Sequence, residues 1–287
     1  MKPRIESLLN LIYLTNYSIA SIQRLILNSN SEEQLIDRVQ LKYTEEEIRI
    51  AKKKTADSII SMDKYGVYAI PYYSREYPDS LLAIKDHPPL LFVKGTLRVQ
   101  KLIAIVGSRD TSKFANKITI NIVDWCNELK LGVISGLAVG IDTMAHRQCL
   151  NSNNYTVAVL PCSLDKIYPI SNSQLAIDII AQGGALITEF AYGLKMNKRS
   201  FVKRNRIQAA LAKIVLPVEM RTGSGTSHTI QYAIQYDKPV FVLRPTPLLM
   251  IEDSYQGIVS LISKPFDGLH VFIDKADFMQ QAQNIIQ

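Results

Sequence analysis

The sequence predicts an α/β fold with a doubly wound, mainly parallel sheet over residues 101–287. Short apolar runs alternate there with amphipathic stretches, and Gly-rich loops follow several of the runs. Short, continuously apolar strands that alternate with helices are typical of a parallel sheet covered on both faces. The predicted strands are 102–106, 132–135, 156–160, 185–188, 214–218 and 239–243, and the predicted helices lie near 113–130, 140–150, 172–182, 203–212 and 226–236.

Two smaller segments precede this domain. Residues 1–66 predict a small helical domain, because apolar side chains recur at spacings near 3.6 residues, with Ser31 and Thr44 as N-caps. Residues 67–100 predict a connector with short strands near 66–71 and 90–95, since residues before its prolines avoid the helical region. Beyond residue 246 we expect one short α/β tail.

The composition bears on several classes of protein. No apolar run approaches the ~18 residues of a membrane-spanning helix, and the first residues form no signal peptide, so we expect a cytoplasmic protein without a membrane partner. Cys126, Cys149 and Cys162 lack metal-type spacing and are expected to be buried, so no metal site is predicted. The net charge of +7 suits a polyanionic partner without specifying one.

The loop after the first predicted strand contains Gly107, Ser108 and Arg109. In parallel sheets the ligand lies beyond the carboxyl ends of the strands, so the loops that follow strands are the candidate sites. Glycine permits a sharp turn, serine offers a hydroxyl, and arginine offers a planar fork for phosphate. A strand-to-helix turn with a surface arginine explains the same residues equally well.

The loop after the second strand has the spacing Ser135-Gly136-x-Ala138-x-Gly140. It differs from the dinucleotide fingerprint G-x-G-x-x-G, and no acidic residue follows about 20 positions later, so no nicotinamide cofactor is expected. A nest of backbone amides suited to phosphate is predicted instead. We expect Asp142 and His146 to order this loop; catalysis by His146 is the alternative.

A basic run covers residues 195–206, with six cations, no acidic residue, and Phe201 among them. Cations for backbone phosphates together with an aromatic ring for base stacking are typical of proteins that hold single strands. The predicted binding residues are Phe201, Lys203, Arg204, Asn205 and Arg206. A solvated helix face is the alternative interpretation.

The loop after the predicted strand 214–218 begins with Glu219 and leads to Ser224, Gly225 and Thr226. Glycine and hydroxyl residues at the start of a helix predict an anion-binding turn, because backbone amides are exposed there. Glu219 is expected to order the loop.

Taken in order, the motifs resemble those of the DprA/Smf family of DNA-processing proteins. The matching motifs are Tyr77-Pro78-x-x-Leu81-x-x-Ile84-x-Asp86-x-Pro88, Ile105-Val106-Gly107-Ser108-Arg109, Ser135-Gly136-Leu137-Ala138-x-Gly140-Ile141-Asp142 with Ala145-His146, Tyr168-Pro169, Phe201-x-x-Arg204-Asn205-Arg206-Ile207, and Val218-Glu219 followed by Ser224-Gly225. Each motif is weak alone, whereas the ordered series is specific.

The resemblance implies an extended Rossmann-like fold preceded by a small helical domain of the SAM or helix-hairpin-helix type. It also implies a non-enzymatic homodimer without a cofactor, which binds single-stranded DNA cooperatively, protects it and hands it to the RecA recombinase. The DNA pocket that the resemblance implies consists of Gly107, Ser108, Arg109, Ser135, Gly136, Ala138, Gly140, Lys203, Arg204, Asn205 and Arg206.

Several positions depart from the family pattern. Ala115 stands where glycine is usual, Val202 where proline is usual, and the turn over residues 221–229 is atypical. Arg244-Pro245-Thr246 replaces the usual Pro-Gly after the last strand. The tail is short, so we expect no C-terminal winged helix.

Two other functions fit parts of the sequence. A nucleotide-sensing or DNA-sensing module in phage defence would use the same loops without needing the basic run. The turn Gly223-Ser224-Gly225-Thr226 is similar to that of the LOG-type phosphoribohydrolases. However, His228 and Thr229 occupy the positions of that family's glutamates, so the acid–base group for glycosidic cleavage is absent from the sequence.

Overall fold

The computed structural model describes residues 1–98 and 101–286. The chain divides into two compact units whose residues interleave along the sequence. The first unit comprises Met1–Lys94, Cys162–Lys166 and Ile187–Met196, and the second comprises Gly95–Pro161, Ile167–Leu186 and Asn197–Gln287. Among the described helices, none combines the length and the apolar character needed to cross a membrane.

The first unit begins with helices, as the sequence predicts. The helices are α1 Ile5–Leu14, α2 Ile19–Leu27, α3 Glu32–Lys42, α4 Glu45–Tyr65 and α5 Asp79–Leu82, and the strands are β1 Tyr68–Pro71 and β2 Leu90–Gly95. α4 starts at a capping box of Thr44 and Glu47 and ends at Gly66, whose φ of 63° favours glycine. β1 pairs antiparallel with β2, with Tyr68 opposite Val93.

The second unit is built on a mainly parallel sheet. Its strands are β3 Leu102–Val106, β4 Gly132–Ser135, β5 Thr156–Val159, β6 Ala185–Thr188, β7 Ile214–Pro217, β8 Val240–Leu243 and β9 Leu269–Phe272. The strand order is β6-β5-β4-β3-β7-β8-β9, and the β5–β4, β4–β3, β3–β7, β7–β8 and β8–β9 pairs are parallel. β6 begins in this unit and ends in the first.

Helices cover this sheet and bury its central strands. They are α6 Lys113–Glu128, α7 Ile141–Asn151, α8 Ser173–Ala181, α9 Lys198–Leu211, α10 Gly225–Gln235, α11 Pro247–Met250, α12 Gln256–Ser263 and α13 Lys275–Ile286. Every residue of β3 is buried, and Ile103, Ile105, Val133 and Leu216 belong to one apolar cluster. A strand buried along its whole length needs cover on both faces, so the predicted fold class is confirmed. All three cysteines are buried.

Helix α9 begins earlier than the predicted residue 203. The side chain of Asn197 accepts hydrogen bonds from the backbone N–H groups of Arg199 (2.9 Å) and Ser200 (3.2 Å). The Ser200 hydroxyl in turn accepts one from the Asn197 N–H at 3.1 Å. This reciprocal cap fixes the first turn at Lys198, so residues 198–202 of the basic run are helical rather than part of a loop.

The segment after residue 246 completes the sheet. β9 pairs with β8 in parallel, with Val240 opposite Leu269 and Leu243 opposite Phe272. Phe272 of β9 and Phe278 of α13 are fully buried in the same cluster as Phe241. The predicted α/β tail is therefore part of the core of the second unit.

Candidate nucleic-acid interface

The strand order of the second unit creates a crevice at the carboxyl ends of β3 and β7. From β3 the sheet extends to β4, β5 and β6 on one side and to β7, β8 and β9 on the other. Ligands in open α/β sheets bind at such a switch in strand order. A cavity of about 480 Å³ lies here, lined by the loops after β3, β4 and β7 and by α9 and α10.

Most of the predicted ligand residues line this cavity. They are Gly107, Ser108, Arg109, Ala138, Phe201, Arg204, Asn205, Ser224, Gly225 and Thr226. Gly136 borders an adjoining cavity of about 50 Å³, which Arg109, Phe201 and Arg204 also line. Ser135, Gly140, Lys203 and Arg206 line neither of these two cavities.

The loop after β4 is ordered by the chain's own carboxylate. Asp142 is buried and accepts hydrogen bonds from the N–H groups of Gly136 (3.0 Å) and Ala138 (3.3 Å). Burial raises the pKa of Asp142, while the positive charge of Arg204 and the two amides oppose that rise. Two amides of the predicted phosphate nest therefore already have an acceptor inside the protein.

Two glycines allow close approaches around this loop. Gly140 has a φ of 85°, and a Cβ there would lie 2.3 Å from the Ser108 carbonyl oxygen. A Cβ at Gly136 would overlap the Arg204 guanidinium, 1.4 Å from Nη1. The lack of a side chain at Gly140 therefore lets the loop after β4 touch the loop after β3, and its lack at Gly136 leaves room for the Arg204 guanidinium of α9.

The loop after β3 is held from two sides. The Ser108 N–H donates to the Glu219 carbonyl at 2.8 Å, and the Ile141 N–H donates to the Ser108 carbonyl at 3.1 Å. The Glu219 carboxylate is fully buried, and its Oε2 accepts from the Ser112 N–H at 3.0 Å. These bonds fix the backbone on which Arg109 stands and leave its side chain exposed.

An aromatic and cationic cluster lies beside the cavity. The Arg109 guanidinium carbon lies 5.6 Å from the centroid of the Phe201 ring, and the Tyr168 ring meets Phe201 edge-on at 5.4 Å. Phe201 is half-buried, and Tyr168 is exposed. This arrangement offers a flat apolar face and a planar cation at one place, which suits an unpaired base with its phosphate.

The basic residues of α9 have different environments. Arg204 is 5% exposed and donates from Nη1 to the Val159 carbonyl at 2.9 Å. Arg206 is 2% exposed and donates to the Lys203 carbonyl at 3.0 Å. Lys203 is exposed, as are Lys198 and Arg199 in the first turn. The three exposed cations can therefore contact the phosphates of a ligand that approaches from solvent, whereas Arg206 is a core residue.

His146 is fully buried in α7, and its Nδ1 lies 2.8 Å from the Thr156 hydroxyl oxygen. Burial, followed by the positive charge of Arg204, lowers the pKa of His146 to about 3. The imidazole is therefore neutral at physiological pH and lies outside both cavities.

We expect this histidine to make the protein less stable as pH falls below about 6.5. The unfolded chain protonates His146 near its ordinary pKa, whereas the folded chain keeps it neutral down to about pH 3. The unfolded state then binds one more proton, so the free energy of unfolding falls by about 1.4 kcal/mol per pH unit within this window. Urea unfolding between about pH 7 and pH 5 measures the slope. His146→Gln cannot titrate and should lose this component; identical slopes in the two proteins would contradict the assignment.

The cavity is also lined by residues that the sequence motifs do not predict as ligands, among them Arg221 and Gln208. Arg221 is exposed and pairs with Asp253 at 2.9 Å and with Asp110 at 4.0 Å. Gln208 is 1% exposed and lies one helical turn after Arg204, on the same face of α9. The spacing from Arg204 was the available signal for Gln208, and the atypical turn was the signal for Arg221.

Comparisons with known proteins identify the family to which the chain belongs. The family model for DNA recombination-mediator protein A matches residues 68–283. Protein Smf of Escherichia coli is 34% identical over 222 residues, which cover 74% of this chain and 59% of that protein. DNA processing protein DprA of Streptococcus pneumoniae is 37% identical over 185 residues, which cover 64% of this chain and 65% of that protein. The chain thus matches less than two thirds of the length of these relatives.

Two solved structures share the fold. DprA from Streptococcus pneumoniae superposes with a TM-score of 0.73 at 25% identity, covering 96% of this chain and 93% of that one. DNA processing protein A from Helicobacter pylori, described for its unique single-stranded DNA binding mode, gives a TM-score of 0.67 at 26% identity. That match covers 78% of this chain and 98% of the Helicobacter protein. With the family model matching most of its length, the chain belongs to the DNA recombination-mediator protein A family, the DprA/Smf proteins.

Proposed function

We propose that this protein binds single-stranded DNA, without strong sequence preference, at the carboxyl edge of its parallel sheet. The observation that carries the proposal is the Arg109–Phe201 pair, which lies beside a cavity at the switch in strand order. Family membership supports it, as does the Helicobacter pylori relative, whose structure concerns single-stranded DNA binding. The net charge of +7 favours a polyanion in general.

A single strand fits this surface better than a duplex does. Bases are available for stacking on Phe201 only when they are unpaired, because a duplex buries the faces of its bases in its own stack. Arg109 and the exposed cations Lys198, Arg199 and Lys203 are suited to the phosphates, whose neutralisation releases counterions. None of these contacts reads a base edge, which accounts for the lack of sequence preference.

The proposed role needs no catalytic group. The buried carboxylates of the loops around the cavity, Asp142 and Glu219, accept hydrogen bonds from backbone amides. His146 is neutral and buried away from the cavity. We therefore assign all three residues to ordering the loops around a bound strand and propose a non-enzymatic protein without a cofactor.

The cellular role proposed for the chain rests on its family. A cytoplasmic homodimer would protect the strand and hand it to the RecA recombinase during DNA uptake or recombination. Co-sedimentation of RecA with the protein–DNA complex tests the RecA partner. The mass of the protein in solution tests the homodimer.

A nucleotide-sensing module is the second candidate function. Its supporting observation is the cavity of about 480 Å³, which is within the size range of small-molecule sites. A competition experiment with a labelled dT oligomer distinguishes the two functions. Displacement by a mononucleotide, at an equal concentration of nucleotide units, favours nucleotide sensing. Displacement by unlabelled oligomer but not by mononucleotide favours strand binding.

Replacing Phe201 with alanine is expected to lower the affinity for a dT oligomer by about 1–3 kcal/mol, the usual contribution of one stacked base. Phe201→Tyr keeps the ring and is the matched control. Fluorescence anisotropy measures both affinities. A loss of the same size in the alanine and tyrosine variants would contradict stacking on this ring.

The direct test of the proposed function compares a labelled dT oligomer with a duplex of equal length. We expect the protein to bind the labelled single strand, and we expect added duplex to displace little of it. Equal affinity for both forms would overturn the proposal, since the duplex presents phosphates without free base faces.

A further inference from the structure

An apolar groove lies in the first unit, between α2 and the connection from β1 to β2. It has a volume of about 260 Å³ and is lined by Ile19, Ile22, Gln23, Ile26, Leu27, Tyr72, His87 and Pro89. An apolar cavity of about 150 Å³ can hold a benzene ring. The groove therefore has room for two branched aliphatic side chains.

The walls of the groove are fixed within one copy of the protein. The Gln23 side-chain amide donates a hydrogen bond to the Lys85 carbonyl at 2.9 Å, which ties α2 to the connection. The Tyr72 N–H donates to the Pro89 carbonyl at 3.1 Å, and the ring centroids of Tyr72 and His87 lie 5.5 Å apart. A groove that is already formed can accept a partner without first rearranging, which lowers the cost of binding.

A second exposed apolar surface lies at α11 in the second unit. Leu248 and Ile251 are 77% and 78% exposed, and Leu27 at the groove is 81% exposed. In the described part of the chain these three are among the five most exposed large apolar side chains, together with Leu41 and Ile170. Leu248 and Ile251 are three residues apart on α11 and its last turn, so they share a face. Exposed apolar surfaces of this kind mark sites of interaction.

The charges at the two surfaces are opposite. Arg24 is exposed and lies one helical turn before Leu27 on α2, so these two side chains share a face. Lys85, which holds Gln23, is also exposed, whereas the neighbouring Asp86 is less exposed than either cation. On the other surface, Ile251 is followed directly by the exposed Glu252. Opposite charges around apolar contacts favour one docking partner and one orientation.

We propose that α11 of one copy docks into the groove of a second copy, with Leu248 and Ile251 in the groove and Glu252 facing Arg24. The two surfaces are different parts of the chain, so the contact is head-to-tail and can continue from copy to copy, whereas a closed homodimer uses one surface twice. The contact forms without DNA and goes beyond the proposed function. On a long single strand it adds neighbouring copies cooperatively, and only this consequence rests on the proposed function.

Two variants, one on each surface, test the contact. Leu27→Glu places a carboxylate at the groove, and Ile251→Glu places one on α11. Both side chains are exposed, so both variants should fold, and urea unfolding checks this. Leu41→Glu and Ile170→Glu are the matched controls, because these side chains are similarly exposed but belong to neither surface.

Sedimentation velocity without DNA, over a series of protein concentrations, measures the assembly. We expect the mass of the wild type to rise with concentration. Each of the variants Leu27→Glu and Ile251→Glu should need at least about tenfold more protein to reach the same mass, because docking would bury a carboxylate without a partner. The controls should assemble as the wild type does. An equimolar mixture of the two variants should exceed the mass of either alone, because the intact groove of one meets the intact α11 of the other.

An exchange of charges tests the orientation. Arg24→Glu alone and Glu252→Arg alone should each raise the concentration needed for assembly at least about twofold, since one exposed ion pair is lost. A chain that carries both changes again has opposite charges at every contact and should assemble as the wild type does.

Three results would overturn the proposal. The first is a wild-type mass that stays constant over the concentration series. The second is a mixture of Leu27→Glu and Ile251→Glu whose mass is only the average of the separate variants, because the two surfaces would then not meet. The third is a doubly exchanged chain that assembles no better than Arg24→Glu alone. All three are measured without DNA, so a failure to bind the dT oligomer, which would overturn the proposed function, is a separate observation.

Discussion

Reversing the charges of Arg109 and Lys203 together is expected to lower the affinity for single-stranded DNA by at least about a hundredfold. A hydrogen bond to a charged group contributes about 1.5–3 kcal/mol, and each 1.4 kcal/mol changes affinity about tenfold. Both side chains are exposed, so Arg109→Glu with Lys203→Glu leaves the core unchanged. Anisotropy titration of a labelled dT oligomer at fixed salt measures the effect.

A second double reversal separates position from net charge. Lys130 and Lys213 are exposed at the amino ends of β4 and β7, on the edge of the sheet opposite the cavity. Lys130→Glu with Lys213→Glu changes the net charge by the same amount and should weaken binding far less. If both double variants lose affinity equally, binding follows the overall charge of the protein and the Arg109 site is not the interface.

The choice of Lys203 rather than its neighbours follows from burial. Reversal of Arg204 or Arg206 would place an uncompensated negative charge in the core, a change that usually costs several kcal/mol. Loss of binding in such a variant would report unfolding instead of a lost phosphate contact. Charge-reversal experiments on this helix are therefore informative only at its exposed cations.

Gly140→Ala is expected to lower the free energy of unfolding of the second unit by about 3 kcal/mol or more. The backbone there has a φ of 85°, and the new Cβ would lie 2.3 Å from the Ser108 carbonyl and 2.7 Å from the Arg109 Cα. The loops after β3 and β4 would have to separate, which also displaces the Arg109 side chain. The midpoint of urea unfolding measures the stability, and oligomer binding below that midpoint measures the displacement.

Gly268 provides the matched control for this prediction. Its φ of 86° is nearly the same, but a Cβ there meets no atom within 4 Å. Gly268→Ala should therefore show only the backbone strain, about 1–2 kcal/mol. Equal losses at Gly140 and Gly268 would mean that the close approach of the two loops contributes nothing to stability.

Several strands could be predicted because their signal is local. β3, β4 and β6 begin and end where the sequence predicts, since each is a short, continuously apolar run that is buried along its length. The start of α9 was missed because the reciprocal cap of Asn197 and Ser200 lies inside a charged run without an apolar period. Because this cap interrupts no apolar periodicity, the sequence pattern does not indicate where the helix begins.

The loops of the site could be predicted from the sequence, but the directions in which their backbone amides and the basic side chains of α9 point could not. The family motifs identify Gly136 and Ala138, whereas only the fold shows that their amides point to Asp142. Likewise, a basic run does not reveal that Arg206 turns into the core while Lys203 stays exposed. The different environments of Arg206 and Lys203 depend on which face of α9 packs on the sheet, and this is set by residues far away in sequence.

The salt dependence of binding to a dT oligomer tests the central claim most directly. Phosphate contacts release counterions, so log K falls linearly with log salt, with a slope of about −0.7 per neutralised phosphate on a single strand. With Arg109 and Lys203 both engaged, we predict a slope of about −1.4 or steeper for the wild type and a clearly shallower one for the double reversal. A slope near zero in the wild type, or the same slope in both proteins, would contradict a phosphate-binding surface at this edge of the sheet.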